Sequence, residues 1–256
     1  MQNIKTTEVS GNQYRIIPSK LPPINFFERF TPPELMDETF ELEGLTNERL
    51  QDEVGNLHLI AHKDRVSGPG ASILMAAFTH TGYPSRFTDG SYGIYYAARD
   101  LNTAIRETIY HRERFLNATK ESSCELDMRV YIGKVNKPLT DIRFNEYAHL
   151  TQPSNGNYTE SQAFGSTQKK TNGWGIIYPS ARNPGGECLA IMRPPAATIP
   201  IQSAHLSYHW NGQFINAVFE KRSLELGSRT PGKRVLGKRT INSSTQPPRI
   251  HDAQPS

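Results

Sequence analysis

Between Ser91 and Thr119 the chain changes its pattern at one residue, Asp100. Before it, "SYGIYYAA" has the aromatic, β-branched and small apolar texture of a buried strand. After it, "LNTAIRETIYHRERFLNAT" sets Leu101, Ala104, Ile105, Thr108, Ile109, Phe115 and Leu116 along one face at helical spacing. Asp is a favoured N-cap residue, so the spacing predicts a helix that begins at Asp100. A strand running straight into an amphipathic helix points to an α+β domain in which both elements share a core.

Further segments fill in that domain. "LDMRVYIGKV" alternates Leu126, Met128, Val130 and Ile132 with polar neighbours, as a half-buried strand does. "GWGIIYP" and "ECLAIMR" read as strands, and so does the texture of "LHLIAHKDRV" and "ASILMAAFTH". "SQAFGSTQKK" suits a short helix, and "AHLSYHWNGQFINAVFEKR" a hairpin whose Asn211-Gly212 fits a two-residue type I′ turn. The first 33 residues are polar and punctuated by proline, and predict an irregular, peripheral arm. "PPELMDETFELEGLTNERLQDEVG" then predicts a helix with Thr31 as N-cap and Gly55 as its stop. The expected organisation is an arm and helical extension over 1–56, the main domain over 57–222, and a disordered basic tail over 223–256.

Charge narrows the function. The chain carries 29 Lys and Arg against 25 Asp and Glu. From Lys221 onward lie 8 of the basic and 2 of the acidic residues, so the body holds 21 against 23. The basic character belongs to the tail, and the folded part has no phosphate-binding stripe of the kind nucleic-acid binders show, so direct nucleic-acid binding is not expected. No apolar run is long enough to cross a bilayer, and the N-terminus lacks the apolar core of a secretory signal, so the expected location is cytoplasmic. Cys124 and Cys188 stand far apart without metal-ligand spacing and read as free thiols. His205 and His209 have the spacing of a helical metal pair but fall in a predicted strand, so no metal site is expected.

Two residues raise chemical questions. Glu107 lies with His111 on the flank of the helix beside Ala104, where a carboxylate is half desolvated and directed into any cleft the helix borders. Spacing alone favours the plainer reading, a glutamate paired with an arginine. Ser180 ends the apolar run "GWGIIYPS" ahead of a Gly-rich turn, fixed from behind by Pro179. No Gly-x-Ser-x-Gly elbow surrounds it, which argues against an acyl-enzyme hydrolase. Neither a Walker A sequence nor a Gly-x-Gly-x-x-Gly fingerprint is present.

The order of these elements resembles the RES-domain toxins, named for an arginine, a glutamate and a serine. An arginine segment ("SRF", Arg86) precedes a "YYAA" strand with Tyr95 and Tyr96. A helix with Thr103, Ala104 and Glu107 follows, and a later strand ends at Ser180 in "YPSAR". Arg65 in "HKDRVSGPGAS" matches the family's first arginine segment by order and distance, and the resemblance spans Leu57 to Glu220.

The resemblance implies an ADP-ribosyltransferase-like α+β fold and a toxin that consumes NAD⁺ as substrate, with no resident cofactor. The nicotinamide–ribose bond is cleaved with water or phosphate as acceptor, and a cognate Xre-type antitoxin with a helix-turn-helix part is the partner. In this reading Glu107, Ser180 and Arg65 are catalytic, while Arg86 and Tyr96 bind NAD⁺. Tyr95 should point to the opposite strand face and serve the core. An ADP-ribosyltransferase acting on a protein target and a catalytically idle binding module are the two rival readings.

Overall fold

The computed structural model describes residues 4–19, 36, 54–151, 157–222 and 224. The chain divides into two units, Met1–Lys221 and Arg222–Ser256, and the fold is that of the first. Of the second, Arg222 and Leu224 are described, both exposed. The expected disorder of the tail otherwise falls outside the described residues.

Among the described residues one sheet holds nine strands: β1 (Thr6–Thr7), β2 (Asn12–Pro18), β3 (Tyr95–Ala98), β4 (Cys124–Lys134), β5 (Leu139–Asp141), β6 (Gly175–Pro179), β7 (Glu187–Ile191), β8 (Ile201–Trp210) and β9 (Ile215–Lys221). Their order is β1-β5-β6-β7-β3-β2-β4-β8-β9. Neighbours are antiparallel except β5 and β6. Among the described residues four α-helices are delimited: α1 (Ala71–Thr79), α2 (Leu101–Thr119), α3 (Ala148–Thr151) and α4 (Thr159–Lys170). The architecture is mixed α+β, as expected.

Side-chain alternation along β3 sorts the core into two faces. Tyr95 and Ala97 join Leu189, Ile191 and the α1 residues Leu74, Met75 and Phe78 on one face. On the other, Ala98 packs with Ile16, Met128, Val130 and the α2 residues Ala104 and Leu116. Tyr96 joins a third cluster with Phe87, Tyr178, Cys188 and Phe164 of α4. Tyr95 serves the core as expected, fully buried and within hydrogen-bond distance of the buried Gln13 amide.

Helix α2 begins as its sequence dictates: the Asp100 carboxylate accepts from the Thr103 N–H at 2.8 Å and from its hydroxyl at 2.6 Å. Phe115, placed on the apolar face by its period, is instead 55% exposed near the last turn, beneath the Arg112 guanidinium.

Three expectations need correction. The N-terminal arm is not wholly peripheral, because β2 enters the middle of the sheet and pairs with β4 from Asn12 to Pro18. Pro18, which has no N–H, is tolerated because the Ser19 N–H makes the bond to the β4 side at Asp127, and β2 pairs with β3 only at Tyr14, so no ladder bond is lost. The segment from Leu57 to His80 is helical rather than strand-like: two 3-10 turns, Leu57–Leu59 and His62–Asp64, lead to α1. Six of the nine α1 residues are buried, so no polar face marks the helical period. Finally, the β8–β9 loop runs over four residues, with Trp210 opposite Ile215. Gly212 has φ +98 but Asn211 does not share the left-handed region, so this is not a type I′ turn. The Asn211 side chain instead accepts from the Gln213 and Phe214 N–H groups.

Of the predicted helix before Leu57, Met36 and Val54 are described, both helical and buried. Gly55 leaves the helix at φ +71 against the Thr79 carbonyl, where a Cβ would lie 2.6 Å from that oxygen. Thr31 lies outside the described residues.

Candidate functional site

β2 and β3 pair at one position, Tyr14 opposite Ala98. The remainder of both strands, Arg15–Pro18 and Tyr96–Ala97, lines a cavity of about 520 Å³ whose far wall is α2 from Ala104 to Arg114. The centre of the sheet is thus opened by two neighbouring strands that stop pairing.

Glu107 is the one acidic side chain on the wall of this cavity among the described residues. The Ser180 hydroxyl donates to its Oε1 at 2.6 Å, and the Cys188 thiol reaches the same oxygen at 3.6 Å. Among the described residues no hydrogen bond engages Oε2. The carboxylate is therefore held by one oxygen and presents the other. Next to this anion, burial pushes the Cys188 thiol well above its ordinary pKa, and it stays protonated.

The turn after β6 explains why the strand stops on Ser180. The Ser180 hydroxyl also accepts from the N–H groups of Arg182 and Asn183, at 3.1 and 3.0 Å, and the Ser180 N–H donates to the Gly186 carbonyl at 2.8 Å. The Asn183 amide in turn donates to the Thr103 hydroxyl at 2.7 Å, which ties the turn to the capped end of α2. Gly186 is required by this contact, since a Cβ there would come within 2.3 Å of the Thr103 hydroxyl. Ser180 sits behind Glu107 rather than on the cavity wall, so it positions the carboxylate.

Arginines ring the cleft: Arg15, Arg86, Arg112, Arg114 and Arg182 all line it. Arg86 donates to the Thr151 carbonyl at 2.6 Å and lies over the Tyr158 and Tyr178 rings at 5.2 and 5.7 Å. Tyr96 lines the cavity with its hydroxyl engaged, at 2.8 Å from the Ser85 hydroxyl and accepting from the Phe87 N–H at 3.2 Å. Burial raises its pKa to about 12.

His111 lines the same wall one turn beyond Glu107. Its pKa is held below the ordinary value, by desolvation first and then by Arg112, Arg114 and Arg182, against the opposing pull of Glu107.

Of the five residues expected in the site, Glu107, Arg86 and Tyr96 line the cleft and Ser180 contacts Glu107. Arg65 is not with them. It is buried, its Nε donates to the Ile60 carbonyl at 3.1 Å, and its neighbours Ile60 and Val66 belong to the cluster on the opposite face of the sheet. Besides Arg86 the cleft holds Arg15 of β2 and Arg112, Arg114 and Arg182, all four missed by sequence reasoning, and of these Arg15 bridges the two parted strands. Its Nη1 donates to the Tyr96 carbonyl at 2.8 Å across the gap between the strands, and its guanidinium lies 4.6 Å over the Tyr95 ring. The available signal was "QYRII", a strand-like run discounted for the prolines that follow it. His205 and His209 stay on β8, facing Gln202 and Asn216. Among the described residues no three His, Cys, Asp or Glu side chains gather where a metal ion could sit, and no helix is long and apolar enough to cross a membrane.

A split α+β sheet with one tethered carboxylate amid guanidinium groups defines a cationic, single-acid cleft. The RES domain profile matches residues 63–211, more than half the chain. The uncharacterized protein y4oC of Sinorhizobium fredii (strain NBRC 101917 / NGR234) is 31% identical over 207 residues, covering 80% of this chain and 86% of that protein. A chain of the M. tuberculosis MbcT–MbcA toxin–antitoxin complex aligns over 81% of this chain and 87% of its own, at 11% identity and a TM-score of 0.41. This chain belongs to the RES domain family.

Proposed function

We propose that the protein is a RES-type toxin that consumes NAD⁺ by breaking the bond between nicotinamide and ribose. The observation that carries this reading is the tethering of Glu107: one carboxylate oxygen is fixed by Ser180, the other is open, and the surrounding charge is cationic. A cavity of about 520 Å³ falls within the range of small-molecule sites, roughly 300–1,000 Å³.

The chemistry needs few protein groups. The ring nitrogen of nicotinamide in NAD⁺ is already positive. When its bond to C1′ of the ribose breaks, the electron pair returns to the ring and nicotinamide leaves neutral, without a general acid. Positive charge develops on the sugar, as in glycosidases, but one carboxylate suffices where those enzymes use two. In this reading Oε2 of Glu107 faces the ribose and stabilises that charge, and because it is already fixed it need not reorganise as the charge forms. Water or phosphate then attacks C1′ and loses its proton to solvent. Arg15 and Arg86 offer planar donor forks to the pyrophosphate. Since the Tyr96 hydroxyl is engaged, its ring is the part offered to nicotinamide. Arg15 takes the place that sequence order gave to Arg65. Membership of the RES domain family, together with the resemblance of the "YYAA", "TAxxE" and "YPSAR" elements to RES toxins, supports a cognate helix-turn-helix antitoxin as the partner.

Incubation of the purified chain with NAD⁺, followed by chromatography, should show nicotinamide release without any added protein target. Glu107→Gln should lower that release about 10²–10⁴-fold with unfolding little changed. Release that requires a target protein would favour the transferase reading. No release under any condition would remove the enzyme reading.

A further inference from the structure

The turn that carries Ser180 also presents an arginine whose arrangement the NAD⁺ chemistry above leaves unused. We propose that Arg182, preset on the ring of Tyr110, is a phosphate-binding residue of the cleft and makes a phosphate on the substrate a condition of tight binding. The identification of that phosphate with NAD⁺ rests on the proposed function; the binding role does not.

Three observations converge. The Arg182 guanidinium lies 3.4 Å above the Tyr110 ring, the shortest such stack among the described residues. Stacking of this kind fixes the plane of the fork while leaving its edge available for hydrogen bonds. Its backbone is fixed as well, because the Arg182 N–H donates to the Ser180 hydroxyl that holds Glu107. Finally, the Arg182 Nε is buried and has no hydrogen-bond partner among the described residues. A buried N–H without an acceptor shows that the fold does not use this fork, and the guanidinium it belongs to lines the cleft, where an arriving phosphate would meet it. Arg15 Nε, in the same cleft, is in the same state.

Position decides what the fork would grip. Tyr110 is three residues beyond Glu107 on α2, about 4.5 Å along the helix axis, a step comparable to one sugar ring. A ligand with C1′ of its ribose at Glu107 that extends along α2 in this direction brings its 5′-phosphate to Arg182. Nicotinamide nucleotides meet that condition and nicotinamide riboside does not.

Calorimetric titration with ADP-ribose tests the assignment without requiring turnover. The wild-type chain should bind ADP-ribose, and Arg182→Met should weaken binding roughly 10–100-fold, the loss expected for charged hydrogen bonds. Tyr110→Leu should weaken it by about 3–10-fold, and Tyr110→Phe, which keeps the ring, should bind more tightly than Tyr110→Leu. Nicotinamide riboside should bind no more weakly to Arg182→Met than to wild type. Should Arg182→Met prove misfolded by circular dichroism, Arg182→Lys replaces it; a lysine keeps the charge but not the fork, and should still weaken ADP-ribose binding. The proposal is overturned if wild type binds no ADP-ribose, or if the folded variant binds it within about twofold of wild type. Binding through Arg182 without nicotinamide release from NAD⁺ would defeat the proposed function and leave this assignment standing.

Discussion

Arg193 and Arg182 are both stacked on aromatic rings, and they differ in what the rest of the guanidinium does. Arg193 lies 3.8 Å over Trp174 and closes a bidentate pair with Asp64, at 2.7 and 2.8 Å. Arg182 lies 3.4 Å over Tyr110, with no carboxylate partner among the described residues and with Nε buried and unpaired. One fork is used up within the fold. The other is held ready and left incomplete. The same contrast separates the two faces of the sheet, since the Asp64 carboxylate is taken up on both oxygens while Glu107 is held by one. Completed ion pairs hold elements together, whereas a fixed but unfinished charge is what a ligand can complete.

The strongest way to break this comparison is to exchange the expected effects of the two carboxylates. Glu107→Gln should cost about 10²–10⁴-fold in nicotinamide release. Asp64→Ala should instead cost about 3 kcal/mol or more in urea-unfolding stability, since it strands Arg193 in a largely buried site, with release per folded molecule unchanged. A stable Asp64→Ala protein with lost activity would show that the opposite face takes part in the chemistry.

What the sequence displayed follows the same division. The β3–α2 unit was readable because Asp100 caps the helix through its own side chain and the tyrosine pair alternates across one strand. Glu107 and Ser180 were singled out by the resemblance of their segments, because helical spacing alone does not distinguish a cleft carboxylate from one paired with an arginine. Arg65 was misplaced because order along the chain does not tell which side of a sheet a loop will cover. The same limit hid Arg15: its place in the cleft depends on β2 inserting between β3 and β4, a long-range pairing with no local signature. Helix α1 was misread for a different reason, since burial of Ala71, Ser72, Leu74, Met75, Phe78 and Thr79 erases the polar face that would have shown its period.

The comparison can be sharpened at Ser180, which links the fixed carboxylate to the fixed guanidinium. Ser180→Ala removes a donor from Glu107 and an acceptor from two N–H groups of the turn. Release of nicotinamide should fall roughly 10–100-fold, with a loss of about 1–2 kcal/mol in stability. If activity falls while ADP-ribose binding is retained, the hydroxyl acts mainly through Glu107. If both fall together, it acts through the whole turn.

The smallest expected effect concerns pH. Desolvation, and after it the charges of Arg112, Arg114 and Arg182, keep the His111 pKa below its ordinary value of 6.5, and Glu107 offsets only part of this. As pH falls through 6.5 the unfolded chain takes up a proton that the folded protein resists, so the folded state loses stability until the lowered pKa is passed. Above 6.5 the contribution is fully present. At neutral pH the imidazole carries no charge and adds no further cation beside Glu107. Protonation would place a cation one turn from that carboxylate and weaken its hold on a positive sugar. His111→Gln should therefore flatten the acid limb of both the urea-stability curve and the nicotinamide-release profile, with little change near pH 8. An acid limb of unaltered slope in the variant would assign the proton to a group other than His111.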